Sequence, residues 1–166
     1  MDEKLETLKF ILTRLDSYIE SSQNKSNLYL ALNTIILGGI ITIISALKDL
    51  NCDWLLNLLL LLIAIASVVS IIITLLAINP YVRSSDDKKR SIFFFKDIAS
   101  NVSCSNYETS LNKTIDHNLV EDLTSQVYSI AKGLNSKYQK LRLVGYIIAG
   151  EFILLAIWVL ILLITR

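Results

Sequence analysis

Charge is what this sequence lacks, and it lacks it in three places. No Asp, Glu, Lys or Arg occurs from Ser26 to Leu47 or from Trp54 to Val82, and only Glu151 interrupts the stretch from Leu143 to Thr165. A soluble domain of 166 residues that is 53% hydrophobic has too little polar surface to cover itself, so these windows exclude an ordinary water-soluble fold. Proline is nearly absent, with Pro80 alone, so nothing breaks a helix from Asn118 to the end of the chain. Two cysteines, Cys52 and Cys104, and one histidine, His117, have no metal-ligand spacing and set up no disulfide framework; both cysteines read as small filler residues and His117 as a solvated residue at a helix start. There is no glycine-rich phosphate loop, nucleophile elbow or paired-histidine motif, so the expectation is a protein without catalytic activity, resident metal or cofactor.

The three windows themselves are what is present. Each reaches the roughly 20 apolar residues that a helix needs to cross the hydrocarbon of a bilayer. They are rich in Leu and Ile and do not alternate, which selects helices over a barrel. The sequence therefore predicts an all-α integral membrane protein. Its parts are a cytoplasmic amphipathic helix over 1–25, spans over 26–47, 54–79 and 143–165, an outer loop over 48–53, and a cytoplasmic helical region over 80–142. The first residues, Met1-Asp2-Glu3-Lys4, do not read as a secretory leader, so targeting is expected to come from the spans.

Basic residues orient the chain. Lys4, Lys9, Arg14 and Lys25 precede the first span, and ten Lys or Arg residues lie between the second and third, whereas the first loop has only Lys48 and the C-terminus only Arg166. The positive-inside rule places the N-terminus and the long second connection in the cytoplasm and the C-terminus outside. A multi-pass protein of the inner-membrane type follows.

Leu5, Leu8, Leu12, Leu15 and Ile19 recur at helical spacing and form a narrow apolar seam. Ser21 to Asn24 reads either as a break before the membrane or as a polar turn within one long helix. A loop is expected over 101–106 and a short helix from Tyr107 to Ile115. Asn118 and Glu121 fit a capping box, and Leu119, Leu123, Val127, Ile130, Leu134 and Leu141 continue as a stripe into the third span. One helix from Asn118 to Ile164, on the order of 70 Å long, is predicted, with Gly133 its weakest point.

Polar groups inside the spans are the candidate functional residues. Glu151 reads as a pore or gate residue, or as a carboxyl near the inner interface that is protonated or bonded to a neighbouring helix. Asn33, Ser67, Ser70 and Thr74 are further pore candidates; the last three share one helical face, and such residues also join helices. Gly38 with Thr42, and Gly145 with Ala149, are small-residue pairs that permit close helix approach. On the cytoplasmic side Arg83, Lys89, Arg90 and Lys137, with Phe94 and Tyr138 as stacking surfaces, are candidates for binding a phosphate-bearing nucleotide. Contact with anionic lipid head groups is the alternative for the basic residues, and helix packing for the phenylalanines.

Asn79-Pro80 closing the second span, the run Ser91-Ile-Phe-Phe-Phe-Lys-Asp-Ile-Ala99, Tyr107, Asp122-Leu-Thr-Ser-Gln126 and Lys137-Tyr-Gln-Lys-Leu-Arg142 together carry a resemblance. The chain resembles the small transmembrane effectors of Pycsar-type anti-phage defence, from the first span onward. The resemblance implies an effector encoded beside a nucleotidyltransferase or cyclase, answering to its nucleotide product and permeabilising the inner membrane of an infected cell. In Pycsar a cyclic pyrimidine nucleotide switches the effector on; in the similar Hailong arrangement an oligonucleotide holds a channel shut. The partners expected are the bilayer, further copies of the chain in a homo-oligomer such as a tetramer, and that nucleotide; duplex nucleic acid is not. A non-conducting membrane scaffold recruiting a cytoplasmic partner is the alternative. A small ion-coupled transporter fits poorly, for want of an inverted repeat.

Overall fold

A computed structural model describes residues 2–47, 54–79, 92–117 and 119–165. The described residues form five helices and no strand: α1 (Asp2–Leu47), α2 (Trp54–Ile78), α3 (Phe95–Ala99), α4 (Cys104–His117) and α5 (Leu119–Thr165). Three of them, α1, α2 and α5, are long and apolar enough to cross a membrane. The outer loop 48–53, and Arg83, Lys89 and Arg90 in the basic connector, lie outside the described residues.

The two readings of Ser21 to Asn24 resolve in favour of continuity, because α1 runs unbroken for 46 residues. Ser22 and Ser26 are fully buried, and the Ser26 hydroxyl donates to the Ser22 carbonyl at 2.9 Å. Small polar residues that look like a turn in sequence are here packed on the inner side of a helix, and the Ser26 hydroxyl is satisfied by the helix's own backbone. α5 is likewise continuous over 47 residues, and Gly133 lies within it. α2 ends at Ile78, just before the Asn79-Pro80 pair, because the residue preceding a proline is driven out of the helical region.

The predicted short helix needs correcting at both ends. α4 begins at Cys104, not Tyr107, so residues 104–106 are helix rather than loop. The Ser103 hydroxyl accepts the Asn106 amide at 3.3 Å, which is the N-cap geometry that fixes this start. His117 is the last residue of α4, and Asn118, expected to cap α5, lies outside the described residues.

The chain divides into two compact units: Met1–Glu20 with Pro80–Ser136, and Ser21–Asn79 with Lys137–Arg166. In the first, Leu15 of the N-terminal seam, Ile92 and Leu123 of the α5 stripe are buried. Ile92 is held twice. Its amide donates to Asp122 Oδ2 at 3.0 Å, and its carbonyl accepts the Tyr107 hydroxyl at 3.0 Å. The short α3 is closed by Asn101, whose amide donates to the carbonyls of Asp97 and Ile98, and by the Ser100 hydroxyl on the Asp97 carbonyl.

The second unit is a three-helix bundle. Ile36 and Ile40 of α1, Leu56, Leu60 and Ile63 of α2 and Trp158 of α5 form its apolar core. The order of contacts shows its topology. Lys140 Nζ donates to the Leu76 carbonyl at 3.1 Å, and further along α5 the Trp158 indole donates to the Leu56 carbonyl at 3.2 Å. Residue numbers rise along α5 as they fall along α2, so these two helices are antiparallel. Its outward faces are apolar: Ile35, Ile41, Leu61, Val68, Ile72, Phe152, Ile153 and Leu160 are all exposed. In water so much exposed apolar surface would drive aggregation; against lipid tails it costs nothing.

Candidate functional site

The bundle is polar where a soluble protein would be greasy. Asn33, Ser67, Ser70 and Thr74 have no exposed surface and Glu151 has 1%. The helical register brings this about. Residues 56, 60, 63, 67, 70, 74 and 77 are the buried positions of α2, spaced by three and four, so the sequence that places leucines at one end of the stripe places hydroxyls at the other. Asn33 of α1 meets this stripe directly: its amide donates to Ser70 Oγ at 3.0 Å and to its own Tyr29 carbonyl at 2.8 Å. Thr74 bonds back to the Ser70 carbonyl at 2.8 Å. Glu151 of α5 meets it one turn away from Ser70, where Ser67 is the side chain facing the carboxyl. The two stop short of a hydrogen bond of ordinary geometry: both carboxyl oxygens, Ser67 Oγ and Asn33 Oδ1 are buried without a partner.

All five pore candidates thus come together between the three helices of one chain. The sequence placed Ser67, Ser70 and Thr74 on one face, and they are buried there; it gave no means of pairing them with Asn33 and Glu151. Close approach is assisted at Gly145, where a Cβ would lie 3.0 Å from Tyr29 Oη and 3.6 Å from Cζ. Gly38 and Thr42 instead lie on the outward surface, with nothing within 4 Å of a Cβ at Gly38. Ala149 is also exposed.

The end of the bundle near Leu76 is basic. Lys25 Nζ lies over the Tyr138 ring, 5.2 Å from its centroid, and Lys140 holds the last turn of α2. Lys137 is partly buried there, and loss of solvent pushes its ammonium below the usual lysine range. Arg142 packs against the Tyr146 ring at 5.6 Å. Two of the six nucleotide candidates, Lys137 and Tyr138, therefore lie here, joined by Lys25, which in the sequence stands out only as one of the charges that orient the chain. Phe94 belongs to the first unit and is half-buried; Phe93 beside it is exposed. In that unit Arg14 lies between the rings of Phe10 and Tyr18, at 5.9 and 5.8 Å, and donates to the Tyr18 hydroxyl at 3.0 Å. Cys104 is a free, exposed thiol rather than a filler, and Cys52 lies outside the described residues.

Apolar outward faces, a hydrogen-bonded polar interior and three helices of spanning length define a multi-span helical membrane protein. The family model for the Pycsar effector protein domain matches residues 7–165, and the chain belongs to that family of anti-phage defence effectors. Neither a curated protein nor a solved structure matches it.

Proposed function

We propose that the chain is a nucleotide-controlled, homo-oligomeric effector of the bacterial inner membrane that permeabilises the membrane of an infected cell and halts its growth. The observation that carries this reading, beyond family membership, is the continuity of α5. A single helix contains both Asp122, which holds the Ile92 node, and Glu151, which sits in the polar core. A ligand with different affinities for two arrangements of such a helix shifts their populations. The N-terminus and the segment 80–142 face the cytoplasm and the C-terminus the outside, as the distribution of Lys and Arg favours. The ligand is a cyclic nucleotide or oligonucleotide made by a neighbouring nucleotidyltransferase or cyclase, taken up at the basic positions Arg83, Lys89, Arg90 and Lys137 with Phe94 and Tyr138. The chain carries out no catalysis and needs no cofactor. Several copies, four as the working number, assemble, and the polar core lines a path when the bundle opens.

Expression in cells with and without the neighbouring gene, read by a membrane-potential dye, tests this. Depolarisation that depends on that gene is the expected result, and its direction gives the sign of the signal. Purified protein that passes no ions in liposomes, with or without nucleotide, would sink the channel. Glu151→Gln tests the pore role: unchanged conductance and selectivity remove Glu151 from the path.

A second reading, a non-conducting subunit that recruits a cytoplasmic partner, is favoured by one observation. All five polar candidates are enclosed by one chain's own helices, which leaves none on a face shared between copies.

A further inference from the structure

Serines and threonines in the apolar helices share a habit. Ser26, Thr34, Thr42, Ser45 and Thr74 each donate the hydroxyl to the carbonyl four residues earlier. This is the cheapest way to satisfy a hydroxyl where there is no water. Ser67 does not do so. Its hydroxyl is fully buried, has no partner, and faces the Glu151 carboxyl. Three residues along the same buried face, Ser70 holds the amide nitrogen of Asn33, which leaves Asn33 Oδ1 without a donor. Four unpartnered oxygens from three helices therefore meet one stretch of α2: Ser67, which faces Glu151, and Ser70, which holds Asn33, are three residues or roughly 5 Å apart along the axis.

Their chemistry is one-sided. A carboxylate and an amide carbonyl only accept, and one hydroxyl is a single donor among them. Leaving such a set unsatisfied in a low-dielectric interior is costly, and the carboxyl escapes that cost by taking up either a proton or a cation. The three apolar stretches contain no Lys, Arg or His to neutralise Glu151. The guest that suits the set carries positive charge and takes oxygen donors. Carboxylate, amide and hydroxyl oxygens are hard ligands, which suit alkali and alkaline-earth cations rather than thiol- or imidazole-seeking metals. Charge decides between those two: one carboxylate is balanced by one monovalent ion, whereas a divalent ion would leave a net positive charge in hydrocarbon.

We propose that Glu151, Ser67 and Asn33, with Ser70 orienting Asn33, form an intramembrane binding site for a single alkali-metal cation. The ion joins α1, α2 and α5 at one point and clamps the closed bundle. The site does not depend on nucleotide control, and it stands or falls separately from the effector reading.

The test uses the full chain in nanodiscs of zwitterionic lipid, melted in NaCl or KCl against choline chloride at constant ionic strength. Na+ or K+ raises the midpoint in proportion to the logarithm of its concentration, as for any ligand bound only by the folded state. Glu151→Gln abolishes that dependence, and Ser67→Ala shifts it to higher salt, on the order of tenfold as for loss of a supporting ligand contact. A wild-type midpoint that ignores both ions, or a Glu151→Gln variant that responds as wild type does, overturns the proposal. Should Glu151→Gln not fold, the unaltered chain suffices. Dicyclohexylcarbodiimide adds to protonated carboxyl groups in apolar surroundings, and either ion should slow its addition at Glu151 relative to choline. Equal rates would mean that a proton alone occupies the site.

Discussion

Asn33 and Ser70 offer a direct measure of what holds the bundle together. Lipid tails are as apolar as leucine, so burying Ile36 or Leu60 between helices gains little over leaving them in lipid. Polar contacts then carry a larger share than they would in water. Asn33→Ala removes the 3.0 Å bond to Ser70 and the 2.8 Å bond to the Tyr29 carbonyl, but the latter carbonyl keeps its helical partner, so in choline buffer, without alkali cation, only the cross-helix bond is a net loss. Interhelical hydrogen bonds in bilayers contribute about 0.6 kcal/mol on average and up to about 1.7. Deleting the amide group also leaves a cavity of roughly 25–30 Å³, worth about 0.6 kcal/mol at 24 cal/mol per Å³. The single variant should therefore lose about 1–2 kcal/mol. A double-mutant cycle with Ser70→Ala cancels the cavity and leaves a coupling of about 0.6–1.7 kcal/mol. The assay is reversible unfolding in mixed micelles, followed by far-ultraviolet circular dichroism. Strictly additive losses would refute the argument, because they would mean that the Asn33–Ser70 bond contributes nothing to helix association.

Three further predictions concern other contacts. Gly145→Ala sets a methyl group 3.0 Å from Tyr29 Oη, which must give way by a few tenths of an ångström, so part of the gain in helix propensity of up to about 1 kcal/mol is lost; with Tyr29→Phe the crowding atom is gone, and the same change should be measurably more favourable. An equal effect in the two backgrounds would count against the contact. Asp122→Ala strips the Ile92 amide of a charged acceptor, at a cost of about 1.5–3 kcal/mol, and should raise hydrogen exchange at Ile92 severalfold above its neighbours; equal exchange would show that the node is not held there. If a nucleotide phosphate binds at Lys137, it restores an ammonium whose proton affinity burial has lowered. Binding then takes up a proton above that lowered pKa, and affinity falls as the pH rises through it. Calorimetry of a cyclic pyrimidine nucleotide in buffers of different ionisation enthalpy, repeated up through the alkaline range, reads this, and proton uptake and affinity that stay flat across that range place the phosphate elsewhere.

What could be read from the sequence tracks how local each cause is. Missing charges reveal the spans because hydrocarbon excludes charge residue by residue, and the stripe from Leu119 to Leu141 reveals the head of α5 because helical spacing is a local pattern. The continuity of α1 through Ser22 is not legible in the sequence, because a small polar residue reads the same whether it turns the chain or packs inside a helix. The start of α4 was misplaced by three residues because Ser103 is one of several serines in Ser100–Ser105, and which of them caps depends on geometry. The polar core was half legible. The shared face of Ser67, Ser70 and Thr74 follows from spacing, but Glu151 meets Ser67 across 84 positions of chain, and no local rule pairs them. Lys25 was missed as a neighbour of Tyr138 for the same reason.

The polar core also has a history during synthesis. α1 and α2 are made first, and each lacks a charged residue in its apolar stretch, so each can enter the bilayer alone. α5 arrives last, with Glu151 among its leucines and isoleucines. An acidic residue at mid-helix adds about 2.5–3.5 kcal/mol to insertion, while each Leu, Ile, Phe or Val returns about 0.3–0.6, so the helix still inserts. Until it docks, it displays a lone carboxyl to lipid. Only a correctly assembled chain hides that group, which turns Glu151 into a marker by which an orphaned third span can be told from a finished protein.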